Sequence, residues 1–102
     1  MNKYDQFING NKIVVLYFEG STCGACEVIK RKILTIIDEY KEVRFKAING
    51  IEEESIAAQY NVFSLPITIL FINGKETIRF GRYVDMMEFK NMLNRYYSLI
   101  YN

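Results

Sequence analysis

Residues 12–18 read Lys-Ile-Val-Val-Leu-Tyr-Phe, apolar almost throughout and rich in branched side chains. The apolar stretch 13–18 is six residues long, far short of a membrane span. It lacks the alternation of a strand with one wet face, so it reads as a central strand covered on both sides. A strand of that kind needs partners in a sheet and a layer of packed elements on each face.

The rest of the chain supplies them. Tyr4, Phe7 and Ile8 make one apolar side of a short first helix, which Asn9-Gly10-Asn11 ends. After the apolar run, Glu19-Gly20-Ser21-Thr22 is a polar connection into Cys23-Gly24-Ala25-Cys26. From Cys26 onward, Ile29, Ile33, Ile36, Ile37 and Tyr40 recur at spacings of three and four, one buried helical stripe. Lys30, Arg31, Lys32 and Asp38 lie mostly outside that stripe, and Ser21 or Thr22 is available as the helix cap. Residues 43–49 alternate well enough for a second strand, and Glu52, Glu53 and Glu54 favour the start of a short helix bearing Ile56, Ala57 and Tyr60. Residues 67–72 are a third strand, and Asn73-Gly74 is a hairpin signal joining it to an antiparallel fourth strand at 77–80.

The last helix starts at Asp85, which has capping-box spacing to Glu88, while Val84 can staple onto Phe89. Its apolar stripe is Met86, Phe89, Leu93, Tyr96, Tyr97 and Ile100. The order α-β-α-β-α-β-β-α predicts an α/β fold, a mixed four-stranded sheet flanked by helices on both faces, in a single domain over residues 1–102.

Composition narrows the function. A formal charge of +1 gives no basic surplus for nucleic acid or an anionic membrane. Residues 1–10 hold no apolar core of signal-peptide length, so the expected location is cytoplasmic. There are two cysteines and no histidine. Chemistry must then rest on thiols, carboxylates, lysines or tyrosines, and a close cysteine pair in a reducing compartment points to redox or metal chemistry.

Two cysteines separated by two residues at a helix start suit redox chemistry. One helical turn brings both sulfurs within disulfide reach. The free N–H groups and positive dipole end stabilise a thiolate on the first cysteine, lowering its pKa from about 8.5 towards neutrality. Cys23 is therefore the expected exposed nucleophile and Cys26, one turn in, the resolving thiol. A zinc site needs three or four protein ligands, so a metal would require carboxylates or a second subunit, as in a dimer bridged through two CxxC pairs. No metal site and no cofactor is expected.

With these residues in view the chain resembles the thioredoxin family over essentially its whole length. The matching features are the apolar strand, Cys-Gly-Ala-Cys, Leu65-Pro66 opening the third strand, Asn73-Gly74 at the hairpin and Gly81 before the last helix. The resemblance implies a cis Pro66 beside the cysteines and a Leu65 backbone that pairs with extended substrate. Composition alone would make that proline trans. Three departures stand out. Tyr17 and Ala47 occupy the positions of the family's buried aspartate and lysine, which puts the usual proton relay of the resolving cysteine in doubt. Thr22 replaces the usual tryptophan, and Gly24-Ala25 the usual Gly-Pro. Glu19 shares a strand face with Tyr17, which makes it a candidate substitute proton acceptor for Cys26 beside the plainer reading of a strand-end carboxylate.

The expected activity is thus a thioredoxin-like protein-disulfide reductase. Thr22, Gly24, Ala25, Leu65 and Pro66 would touch disulfide-containing protein substrates, and a separate reductase would return the electrons. The dipeptide offers no imidazole to stabilise a reduced thiolate, which places the couple nearer the reducing end of the family's range. A redox-sensing binding module with little turnover remains a second reading. A glutaredoxin fits less well: Ser64-Leu65-Pro66 is not its usual tripeptide, and no Gly-Gly follows the hairpin.

Overall fold

The apolar run becomes β1 (Ile13–Glu19), joined in one sheet by β2 (Arg44–Asn49), β3 (Ile67–Ile72) and β4 (Lys75–Phe80) in the computed structural model, which describes residues 2–101. Met1 and Asn102, the two ends of the expected domain, lie outside the described residues. The strand order is β2-β1-β3-β4. β1 runs parallel to β2 and antiparallel to β3, and β3 and β4 form the antiparallel hairpin. Both hairpin residues sit at positive φ, Asn73 at 50° and Gly74 at 82°, which suits the twist of the flanking strands. The fourth strand begins at Lys75, two residues earlier than expected, because this tight turn lets pairing start at once (Ile72 opposite Lys75).

Every side chain from 13 to 18 is fully buried, as a central strand demands. Alternation divides them. Ile13, Val15 and Tyr17 meet α2 (Gly24–Ile37) and α4 (Met86–Tyr101) through Cys26, Ile33, Phe89 and Leu93. Val14, Leu16 and Phe18 meet α1 (Asp5–Asn9) and α3 (Glu54–Gln59) through Ile8 and Ala57. Among the described residues no helix is long and apolar enough to cross a membrane.

Helix ends are set by side chains and turns. Asp85 caps α4 as expected, its Oδ1 accepting the N–H groups of Met87 at 3.0 Å and Glu88 at 3.1 Å. The second helix stops at Ile37, so Tyr40 is not part of its stripe. The N–H of Asp38 closes onto the carbonyl of Leu34 at 3.0 Å and that of Glu39 onto the carbonyl of Ile36 at 3.2 Å, and the chain turns. Tyr40 still reaches the core from that turn, edge-on to Tyr97 at 5.1 Å between ring centres.

Candidate active site

β1 ends at Glu19, and a short polar connection delivers Cys23 to the N-terminus of α2. Cys23 is itself the cap, in place of the Ser21 or Thr22 expected from the sequence. Its backbone is extended (φ −92°, ψ 98°) and its Sγ accepts the N–H of Cys26 at 3.2 Å. The sulfur thus takes the place a serine oxygen usually fills at a helix start. Cys26 sits one turn in, 1 % exposed among the core residues, whereas Cys23 is only half-buried. The two are joined as a disulfide, with Cα atoms 5.2 Å apart.

Around them, Thr22 and Gly24 are exposed and Ala25 is half-buried, and nothing lies within 4 Å of where a Gly24 Cβ would be. The rim is open. The Leu65–Pro66 peptide bond is cis, Pro66 is buried and Leu65 is half-buried. Leu65 approaches the connection that carries Cys23: a Cβ placed on Gly20 would stand 3.2 Å from Cδ1 of both Leu65 and Ile51. Leu65 and Cys23 also border the same core cluster as Cys26. Leu65 also lines an open groove of about 320 Å³, together with Gly50, Ile51, Phe63 and Ser64 among others. Ile51 and Phe63 project from it, 61 % and 81 % exposed.

Charge gathers at one point. Glu19, half-buried, holds the Nζ of Lys30 at 3.1 Å (Oε1) and 3.2 Å (Oε2), and the same ammonium lies 3.5 Å from Glu27. The hydrogen bond to Glu19 holds the Lys30 ammonium above its ordinary pKa. The candidate proton acceptor is therefore already engaged by a cation.

The sequence did not disclose what Tyr17 does. Its hydroxyl, fully buried, donates to the carbonyl oxygen of Cys26 at 2.6 Å. Burial first, then the nearby Glu19 and Glu27 carboxylates, push the phenol pKa up to about 12, so it stays protonated and acts as a donor. Strand alternation, which puts position 17 on the α2 side, and the rule that a buried tyrosine finds a partner were the available signals.

A half-buried sulfur at a helix tip, bonded reversibly to a buried one beside an open rim, is the working part of a thiol–disulfide oxidoreductase. The sequence profile of the thioredoxin family matches residues 1–95. This chain belongs to the thioredoxin family. It is 26 % identical over 95 residues to the thioredoxin-like protein YdfQ of Bacillus subtilis, spanning 93 % of this chain and 85 % of that one. It is 29 % identical over 79 residues to a thioredoxin of Mycoplasma genitalium, 78 % of each chain. The solved thioredoxin 1 of Thermosipho africanus superposes with a TM-score of 0.77 at 29 % identity, covering 87 % of this chain and 99 % of that one. A mutant thioredoxin from Halobacterium salinarum shares the fold, with a TM-score of 0.82 at 22 % identity and coverage of 94 % and 84 %.

Proposed function

We propose that the protein is a reductase of protein disulfides, with Cys23 as nucleophile and Cys26 as resolving thiol. The observation that carries this is the asymmetry of the pair: Cys23 is half-buried and its Sγ accepts a backbone N–H, whereas Cys26 is 1 % exposed. A hydrogen bond donated to the sulfur favours its thiolate, and helix-tip partial charge adds to it.

In the proposed cycle a substrate disulfide lies against Leu65 and Pro66, under the rim of Thr22, Gly24 and Ala25. The Cys23 thiolate attacks one sulfur, the substrate S–S bond breaks, and the departing thiolate takes a proton from solvent. Cys26 gives up its proton and attacks Cys23 Sγ, which breaks the mixed disulfide and releases the second substrate thiolate. Two electrons have moved to the substrate, and a separate reductase returns them to the Cys23–Cys26 disulfide. Glu19 is our candidate to receive the Cys26 proton, after loosening its bond to Lys30. The groove beside Leu65 supports a protein substrate, since Ile51 and Phe63 offer it apolar contact. We assign the reaction to the cytoplasm, because both cysteines of the chain are committed to the exchange motif and none to a structural staple.

With a dithiol reductant and a peptide disulfide, the wild-type protein is expected to turn over, and Cys23→Ser to fall to the rate measured without protein. Cys26→Ser is expected to accumulate the covalent substrate adduct, visible by mass spectrometry. A Cys23→Ser variant as fast as wild type removes the reading; single-turnover, stoichiometric binding by wild type reassigns the protein to redox sensing.

A further inference from the structure

We propose that Tyr17 is a positioning residue of the active site: its buried hydroxyl, by holding the Cys26 carbonyl, keeps the first turn of α2 aimed so that the Cys26 N–H stays on Cys23 Sγ. This rests on the reading of Cys23 as nucleophile.

The geometry has three parts. The hydroxyl bond is short, 2.6 Å, and wholly inside the protein, where no water competes with it. It links the middle of the sheet to the residue whose N–H reaches the half-buried sulfur, since Cys26 bonds Tyr17 through its carbonyl, while its N–H is shared between Cys23 Sγ at 3.2 Å and the Cys23 carbonyl oxygen at 3.2 Å. The strands are also built to admit the ring. Tyr17 stands opposite Ala47 on β2 and Thr68 on β3, two small residues on the same face, and it stacks on Phe45 with ring centres 6.2 Å apart. A large side chain flanked by two small ones can reach past the sheet surface to the helix.

The consequence follows from what the Cys26 N–H does. A donor aimed at sulfur stabilises the thiolate over the thiol, so a first turn free to tilt raises the pKa of Cys23. Tyr17 itself exchanges no proton in this role. The groups facing the tip of α2 are Glu19 from β1 and Glu27 and Lys30 from α2, which pair with one another and are left in place by a change at Tyr17.

The test is the pH dependence of Cys23 alkylation by iodoacetamide in the reduced protein, beside turnover of a peptide disulfide. Tyr17→Phe keeps the ring and removes the donor. It is expected to move the alkylation profile up by about half to one pH unit, which is about a three- to tenfold loss of rate at a pH well below the thiol pKa, with recovery to near the wild-type rate well above it. Tyr17→3-fluorotyrosine, a stronger donor inserted at that position alone, is expected to shift the profile down. Thr68→Val borders the same ring without touching the hydroxyl bond, and is expected to leave the profile at its wild-type position. If Tyr17→Phe folds and its profile overlies wild type, the proposal is overturned while the oxidoreductase reading stands. Should Tyr17→Phe not fold, the fluorotyrosine protein decides: a profile that does not move overturns the proposal. If wild type itself shows no Cys23-dependent turnover, it is the functional reading that fails.

Discussion

On one face of the sheet, Val14, Leu16 and Phe18 meet Ile8, Ile48, Ala57 and Val62, and the one buried side chain of that cluster with a polar atom, Tyr4, sends its hydroxyl out to Glu53 at the rim. On the other face, Ile13, Val15 and Tyr17 meet α2 and α4, and polar atoms stay inside: the Tyr17 hydroxyl on the Cys26 carbonyl, the Cys26 sulfur, and the Thr68 hydroxyl. Thr68 is 1 % exposed and its Oγ1 has no hydrogen-bond partner among the described residues. Both faces are made by the same strand, one residue out of phase. A buried polar atom costs stability unless it is paired, so its confinement to the cysteine side marks where the fold gives up stability for chemistry. The opposite face acts as ballast.

If that division holds, a large cut into the ballast should cost stability and leave the chemistry alone. Phe18 is fully buried and its ring lies 5.9 Å from that of Tyr60. Phe18→Ala is expected to destabilise the protein by about 3–5 kcal/mol, read as the drop in urea midpoint at constant slope. The Cys23 alkylation profile of the folded fraction should coincide with wild type. A shifted profile would break the comparison, because it would show that the far face also sets the sulfur geometry.

A smaller change sharpens it from the other side. Thr68→Val replaces an unpartnered buried hydroxyl by a methyl group of similar shape. The variant is expected to be more stable by about 1 kcal/mol, since it removes the desolvation cost of an unpaired polar group. A loss of stability of that size in the same urea titration would mean that the hydroxyl is satisfied in solution and that the cysteine face is less compromised than its structure indicates.

The layers and the cysteine pair were readable because each depends on a local period or spacing. Six apolar residues without alternation identified β1, threes and fours identified α2 and α4, and two intervening residues put the sulfurs one turn apart. The misreadings have non-local or atypical causes. Helix-cap rules are written for oxygen side chains, so they pointed to Ser21 or Thr22 when the Cys23 sulfur does the capping. Periodicity carried the helix on to Tyr40, because a turn at Asp38 can still place that ring in the core. The Glu19–Lys30 pair joins residues eleven apart on a strand and a helix, so only the crossing of those elements reveals it. Tyr17 looked like the loss of a proton relay, and only its neighbours in space show a donor with a place to go. The cis bond at Pro66 came from family likeness alone.

The rim of the ballast face offers the mildest test, and a pH-dependent one. Glu53 accepts from Lys3 across 2.6 Å and from the Tyr4 hydroxyl at 2.7 Å. The Lys3 hydrogen bond first, then that of Tyr4, hold the Glu53 carboxyl below its ordinary pKa. A carboxyl depressed on folding binds fewer protons folded than unfolded as pH falls through the usual carboxylate range. Its contribution is therefore complete at neutral pH and is lost as acid protonates Glu53 in the folded protein. Glu53→Gln keeps an acceptor for Tyr4 and removes the charge. The melting-temperature gap between wild type and Glu53→Gln is expected to be small, constant from about pH 8 to 6, and to close as acid takes the pH through and below the ordinary carboxylate range. Lys3 is 64 % exposed, so the gap should also shrink in half-molar salt. The Thr68→Val gap involves no titrating group and should be flat in both pH and salt. Equal pH dependence in the two variants would mean that the two faces are not separable in this way.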